Sequence, residues 1–412
     1  MSRDRLKILW LKTGALHPLD TGGKLRTYNM LRQLNTRHEV CFLAFLPPGI
    51  AKNSIKQASE YSSEQLWIEM QETPKGSLKF CFELFLNLFS DLPYVIEKYK
   101  SAKMSAKIAE VEETFDITIC DFLTPAVNWL SATKRPTKSL LFQHNVEALI
   151  WKRLAETAGN PIKKWYFTLQ WKRLKDFEQM AAAHFGGVVC VSDEDCRLMH
   201  KDYGLTNILG SVPTGVDVDY FKPIKRAPED GLIVFVGSMD WMPNIDAVHY
   251  FVNEIYPKIK KTRPGTRFAI VGRKPMESVR ALARKDNSII VTGTVDDVRP
   301  WLDKATAMVV PLRAGGGTRI KIYEAMAQGT PVVSTSIGAE GLAIKDNENI
   351  LIADSVEEFA QDVLTLLEDR TLGEKISKNA RELVEKNFSW QKVATIFENY
   401  CYQIVEQKPN NR

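Results

Sequence analysis

The sequence predicts an α/β protein of two doubly wound domains, each a parallel sheet covered by helices on both faces. Three features predict it. Short β-branched apolar runs alternate with helix-period segments, the alternation occurs as two successive series, and a proline-marked stretch without periodicity separates them.

In the first half the strand runs are KILWL (7–11), EVCFLAFL (39–46), DITICDFL (116–123), SLLFQ (139–143) and GVVCVS (187–192), with helical periodicity over 23–35, 101–114, 161–183 and 193–202. In the second half they are LIVFVG (232–237), RFAIVG (267–272), SIIVTG (288–293), AMVVPL (307–312) and TPVVST (330–335), followed by helical patterns at 244–261, 275–285, 296–304 and 319–328. Runs this continuously apolar suit a sheet buried on both faces, since a sheet with one wet face would alternate. Residues 355–369, 371–387 and 390–405 continue as helices to the end. The break falls at 213–230, where Pro213, Pro223 and Pro228 sit in aperiodic sequence; it reads as a linker between a domain over 1–212 and one over 231–387. Ligands of open parallel sheets bind beyond the carboxyl ends of the strands, so a cleft between two facing sheets is the expected site.

Composition narrows the class. The 412 residues are 44% hydrophobic and 25% charged, which excludes a disordered chain, and no apolar run reaches the roughly 18–20 residues of a membrane span. A net charge of +5 is too mild to point to nucleic acid. The six cysteines form no C-x-x-C pair and the six histidines are scattered, so neither a disulfide framework nor a metal site is expected. The apolar run near the N-terminus lacks a small-residue cleavage site and reads as a first strand. A cytoplasmic protein is expected.

The most informative segment runs from Pro311 to Thr335. A buried strand ends at Leu312, three glycines follow at 315–317, and a helix starts near Thr318 and stops at Gly329. Glycines before a helix let backbone N–H groups converge on an anion at the positive helix end. Arg319 and Lys321 place cations in that first turn, which opposes the helix dipole unless an anion binds there. Lys321 and Glu324 share a face. The alternative is a plain glycine turn with a surface Lys–Glu pair. Asp240 and Asn244, in GSMDWMPN after another strand, read as caps of the helix at 244–261. His144, in LFQHNVE, stands at a strand's carboxyl end, where an imidazole could orient a hydroxyl or help a proton move. Asn145 is an alternative contact, and Glu147 either caps the next helix or acts at an acceptor. Gly22 and Gly23 precede a helix that carries Lys24 and Arg26; the segment is not a Walker loop, because Leu25 follows Lys24.

Segment 311–335 resembles the donor-binding signature of retaining glycosyltransferases of the GT-B fold, the large family 4 (glycosyl transferases group 1). The family pattern is E-x7-E-A-M-A-x-G-x-P-V-V, and EAMAQGTPVV fits it from Glu324 onward; the first Glu falls on Gly316, so the chain is similar to a GGGTR-x-K subset. The resemblance implies two facing Rossmann-like domains with an interdomain cleft, the first completed by a C-terminal helix over 388–406 with Trp390 as a packing anchor. It implies that Glu324 meets the nucleotide ribose and that Gly316, Gly317 and Thr318 face the donor sugar or phosphates. The Gly22–Gly23 loop approaches the phosphates, with Lys24, Asn145 and Glu147 on the acceptor side, and His144 lies near the donor sugar. The loop at Gly237 and Ser238 carries neutral residues where the family usually has Arg and Lys, so Arg319, Lys321 and Arg273 are the substitutes. Val295 is placed near the nucleobase. The expected reaction is transfer of a sugar from a UDP- or GDP-sugar to an acceptor hydroxyl with retention, without a cofactor or dedicated metal. The acceptor would be a saccharide, a lipid-linked precursor or a small molecule in polysaccharide or glycolipid synthesis. A sugar-nucleotide epimerase and a non-catalytic nucleotide-sugar scaffold are the alternatives. Residues 78–96 are Phe- and Leu-rich with lysines nearby. They read either as a buried helix or as a peripheral contact with an anionic membrane, at its inner face.

Overall fold

The computed structural model describes residues 4–19, 21–48, 51–223, 228–314 and 319–407. The chain divides into two compact units, Met1–Val212 with Val393–Arg412, and Pro213–Lys392.

The first unit holds a seven-stranded parallel sheet of β1 (Lys7–Lys12), β2 (Glu39–Leu46), β3 (Glu64–Glu69), β4 (Ile117–Asp121), β5 (Ser139–Phe142), β6 (Gly187–Cys190) and β7 (Ile208–Ser211), in the order β3-β2-β1-β4-β5-β6-β7. Ile8 of β1 lies opposite Val40 of β2 on one side and Ile117 of β4 on the other. The C-terminal helix Trp390–Glu406 packs Phe397 onto Trp10 and Phe142, at ring-centroid distances of 5.6 and 4.9 Å, and its Glu398 accepts from the His38 ring at 2.8 Å.

The second unit repeats the plan with six parallel strands: β8 (Leu232–Val236), β9 (Arg267–Val271), β10 (Ile289–Gly293), β11 (Ala307–Val310), β12 (Val332–Ser334) and β13 (Leu351–Ile352), in the order β10-β9-β8-β11-β12-β13. In both sheets the order reverses beside the first strand, between β1 and β4 and between β8 and β11. The crossovers there leave in opposite directions, so a crevice opens at the carboxyl ends of those two strands. The fold thus nominates two places for chemistry, one per unit.

The proline stretch differs from a free linker over its described part. Val216 and Phe221 are buried in the second unit's core, and the Arg381 guanidinium donates to the carbonyl oxygens of Val218, Phe221 and Ala327. Residues 224–227 lie outside the described residues. Trp390 is buried with its ring against Gly215, where a Cβ would come within 2.6 Å of it.

One glycine is fixed by close backbone approach. A Cβ on Gly272, just past β9, would lie 1.7 Å from the carbonyl oxygen of Gly237, just past β8. No side-chain motion relieves a clash with backbone. Gly272→Ala is therefore expected to cost about 3 kcal/mol or more in urea unfolding, at the upper end of overpacking losses, and to displace the loop after β8.

Candidate active site

In the first unit, the site grows from charged residues at the ends of apolar strands. β1 buries five of its six residues and closes on Lys12; β4 is buried throughout and closes on Asp121. Lys12 Nζ donates to Asp121 Oδ2 at 2.8 Å and to Thr27 Oγ1 at 3.0 Å. Thr27 Oγ1 and Trp10 Nε1 donate to the same oxygen at 2.6 and 3.0 Å. His144 Nε2 approaches the other oxygen, Oδ1, to 2.7 Å. Burial alone would raise the Asp121 carboxyl, but Lys12 and His144 hold it well below the usual carboxylate range. His144, 6% exposed, is drawn down to about 4 by burial against the opposing pull of Asp121, so it is a neutral imidazole at pH 7. Phe122 stacks on its ring at 3.9 Å with Lys12 Nζ 4.1 Å from the Phe122 centroid, and Phe122 holds a φ of +74°, a left-handed conformation costly for a bulky residue.

The glycine loop delivers the next groups. Gly22 and Gly23 open the helix Gly22–Asn35, with Thr21 as N-cap. A Cβ on Gly23 would come within 2.9 Å of Phe122 Cζ. Lys24 Nζ donates to the Pro18 carbonyl at 3.2 Å. Arg26 is buried, with its guanidinium carbon 6.0 Å from the Phe142 centroid, and burial lowers its pKa to about 10. Asn145 and Glu147 are half-buried beside His144. Glu147 accepts from Leu123 N at 3.3 Å rather than capping its own helix. That helix, Glu147–Thr157, is instead held by Glu178, which accepts from Glu147 N at 2.8 Å and Ala148 N at 3.2 Å. Burial, reinforced by Glu178, pushes the Glu147 carboxyl up to about 7.

In the second unit, the switch point gathers Lys321, Arg319 and the loop after β8. The helix Ile320–Gln328 begins two residues later than its sequence pattern suggests, with Arg319 at the N-cap. Lys321 Nζ donates to Asn244 Oδ1 at 2.9 Å and lies 4.4 Å from the Phe235 centroid. Asn244 Nδ2 donates to the Ser238 carbonyl at 2.9 Å, and Arg273 Nε donates to Ser238 Oγ at 2.9 Å. The expected capping roles are thus corrected. Asn244 anchors Lys321, Ser238 Oγ donates to Asp240, and the helix Met242–Tyr250 has no side-chain cap. Gly237 makes room, since a Cβ there would meet Asn244 Nδ2 at 2.9 Å and Lys321 Nζ at 3.0 Å.

The electrostatics reject a solvated Lys–Glu pair. Burial, aided by Arg319 and opposed by Glu324, draws Lys321 down to about 7; burial, opposed by Lys321, pushes Glu324 up to about 7. Arg319 is 8% exposed, and burial lowers its pKa against the pull of Glu340. Cations crowded at a helix start in a poorly solvated place are what an oxyanion would relieve. Val295 is half-buried at the edge of the core beyond β10. Gly316, Gly317 and Thr318 lie outside the described residues.

Sequence reasoning passed over Lys12, Thr27, Asp121, Phe122 and Glu178. A charged residue closing an otherwise apolar strand was the available signal for Lys12 and Asp121; nothing local marks Glu178, whose partners lie 25–35 residues away.

Residues 230–369 match the family described as Glycosyl transferases group 1. An uncharacterized 44.6 kDa protein in the cps region of Klebsiella pneumoniae is 21% identical over 396 residues, covering 94% of this chain and 97% of that protein. An uncharacterized glycosyltransferase of Methanocaldococcus jannaschii is 24% identical over 315 residues, covering 74% of this chain and 80% of that protein. The crystal structure of Anabaena HepE in complex with UDP and glucose has the same fold, with a TM-score of 0.67 at 13% identity, covering 97% of this chain and 100% of that one. Two Rossmann-like parallel sheets of matching order, a group 1 domain over 230–369 and these relatives make the chain a glycosyltransferase with the GT-B fold.

Proposed function

We propose that the chain transfers a hexosyl group from a UDP- or GDP-sugar to an acceptor hydroxyl, with retained anomeric configuration. The observation that carries the reading is the half-buried Lys321, held by Asn244 beside Arg319 at the switch point of the second sheet. During transfer the bond from the anomeric carbon to the diphosphate oxygen breaks and its electron pair leaves with the diphosphate, while the acceptor oxygen bonds that carbon and passes its proton to the departing diphosphate. Charge therefore grows on the diphosphate, and preorganised cations lower that barrier most. In this reading Lys321, Arg319 and Arg273 meet the diphosphate, with N–H groups of Ser238, Gly316, Gly317 and Thr318, while Gly237, whose own N–H donates to the Val271 carbonyl at 3.0 Å, leaves room for them beside Lys321. Glu324 takes the ribose and Val295 borders the nucleobase. These cations supply the charge that is needed, so the reading calls for no metal or other cofactor. The same reading assigns Gly22 and Gly23 to the donor phosphates and neutral His144 to a sugar hydroxyl. Lys24, Asn145 and Glu147 stand on the acceptor side. The HepE complex with UDP and glucose supports the donor class, and the setting proposed is polysaccharide or glycolipid assembly. A cytoplasmic location fits such a donor.

A panel of UDP- and GDP-sugars, each with and without saccharide acceptors, tests it. One donor should release its nucleoside diphosphate in an acceptor-dependent way, with product of unchanged anomeric configuration. Tight nucleotide binding with no turnover for any donor would overturn the reading in favour of a scaffold.

A further inference from the structure

The helix Leu78–Asn87, capped by Ser77, is docked with its apolar face outward. Leu78, Phe82, Phe85 and Leu86 are 91, 60, 55 and 50% exposed, and Phe89, just beyond the helix, is 78% exposed. Their spacing of four, three, one and three residues puts them along one stripe. The opposite side is tied down by polar contacts. Glu83 accepts from Thr73 Oγ1 at 2.7 Å and from the Tyr94 hydroxyl at 2.8 Å; Asn87 accepts from Gln170 Nε2 at 2.8 Å; and Arg173 donates to the carbonyl oxygens of Asn87 and Leu88 at 2.7 and 2.9 Å. An amphipathic helix held by its polar side has its apolar side reserved for something else.

Gln170 and Arg173 belong to the helix Pro161–His184, and its first turns continue the pattern: Ile162 and Trp165 are 76 and 56% exposed, with Lys163 and Lys164 exposed between them. Lys75 and Lys79 stand exposed at the start of the first helix. Among the described residues none of these four lysines makes an ion pair, while the neighbouring Glu72 is held by Lys98 and the Tyr99 hydroxyl. Between residues 74 and 96 the one exposed carboxylate is Asp91.

We propose that this face, the stripe from Leu78 to Phe89 together with Ile162 and Trp165, seats the protein on an anionic lipid bilayer. Aromatic and aliphatic side chains enter the acyl boundary, Trp165 suits the headgroup level, and the lysines meet acidic headgroups. A second copy is the poorer occupant, because a two-fold contact would bring the same four lysines to one rim without counter-charge. The proposal does not depend on the donor or the reaction.

Co-sedimentation of the full chain with phosphatidylglycerol-rich vesicles tests it, with pure phosphatidylcholine vesicles alongside. Binding is expected on the anionic vesicles, to weaken with salt, and to be about tenfold or more weaker on phosphatidylcholine. Phe82→Ser with Phe85→Ser and Phe89→Ser should reduce binding at least about tenfold. Lys75→Gln, Lys79→Gln, Lys163→Gln and Lys164→Gln together should abolish the preference for anionic lipid. Circular dichroism and nucleotide binding confirm that the variants are folded. No vesicle binding by the unaltered protein, equal binding by the serine variant, or a concentration-dependent dimer lost in that variant would each overturn the proposal.

Discussion

Lys321→Ala is expected to lower the turnover of donor and acceptor by about 10²–10³-fold, the loss that would follow removal of one preorganised donor at a developing oxyanion. The protein should not lose stability with it. Lys321 is drawn down to about 7 mainly by burial, so the fold disfavours its charged form and keeps it for another reason. Alanine leaves Asn244 Oδ1 without its donor but relieves the crowding with Arg319. Lost activity with an unchanged or raised urea midpoint is the signature of a group kept for function. Near-normal turnover would remove the diphosphate assignment.

The pH dependence follows with its sign. A lysine whose folded pKa lies near 7, below its ordinary 10.5, binds fewer protons folded than unfolded between those values, so its stability cost is relieved as pH rises across that window. Glu324 acts the other way. Its folded pKa, raised to about 7 from 4.5, contributes stability that is present at acid pH and lost as pH rises through 7. A diphosphate bound as proposed would reverse the case for Lys321 by stabilising the ammonium. Binding of UDP or GDP should therefore take up protons near neutral pH and weaken as pH rises above about 7, and calorimetry in buffers of different ionisation enthalpy reads that uptake directly.

Much of this was legible in the residues and some was not, for physical reasons. Strands buried on both faces announced themselves as continuous apolar runs; β3, β7 and β13 did not. EQLWIE is half-exposed at the sheet edge and mixes charges with apolar residues, ILGS is short and contains Gly210 at a φ of +146°, and β13 is two residues long. The second-unit candidate site could be nominated from sequence because its cations and glycines are contiguous there. Asn244 was misjudged because local reasoning offers an Asn near a helix start a cap, while its actual partner is 77 residues away. Residues 78–96 read from sequence either as a buried helix or as a membrane face. Periodicity shows that a helix has an apolar side but not which side the fold holds, and here Glu83 and Asn87 are the side that is held.

Lys12→Met should cost about 3–5 kcal/mol of stability at pH 7, the usual result of leaving one partner of a buried pair uncompensated. The side chains of Lys12 and Asp121 are 8 and 0% exposed, so solvent screening does not soften the loss. Methionine fills nearly the same volume, so little of the effect comes from packing. With the ammonium gone, Asp121 keeps the Thr27 hydroxyl and the Trp10 N–H as donors, and His144, against its other oxygen, can take up a compensating proton. The His144 pKa should therefore rise in the variant. Asp121 lies below its unfolded value in the native protein, so its contribution is present above about pH 4 and lost as pH falls below that. The penalty of the substitution should shrink in the same acid range. Adding Asp121→Asn removes the stranded charge and should recover a good part of the stability, while Asp121→Asn alone should itself be destabilising; that non-additivity identifies a coupled pair. Urea unfolding of the four proteins of this cycle at pH 7 decides it: a loss below about 1 kcal/mol for Lys12→Met would show that the pair is solvated, and that the neutral, Asp121-held state of His144 does not depend on it.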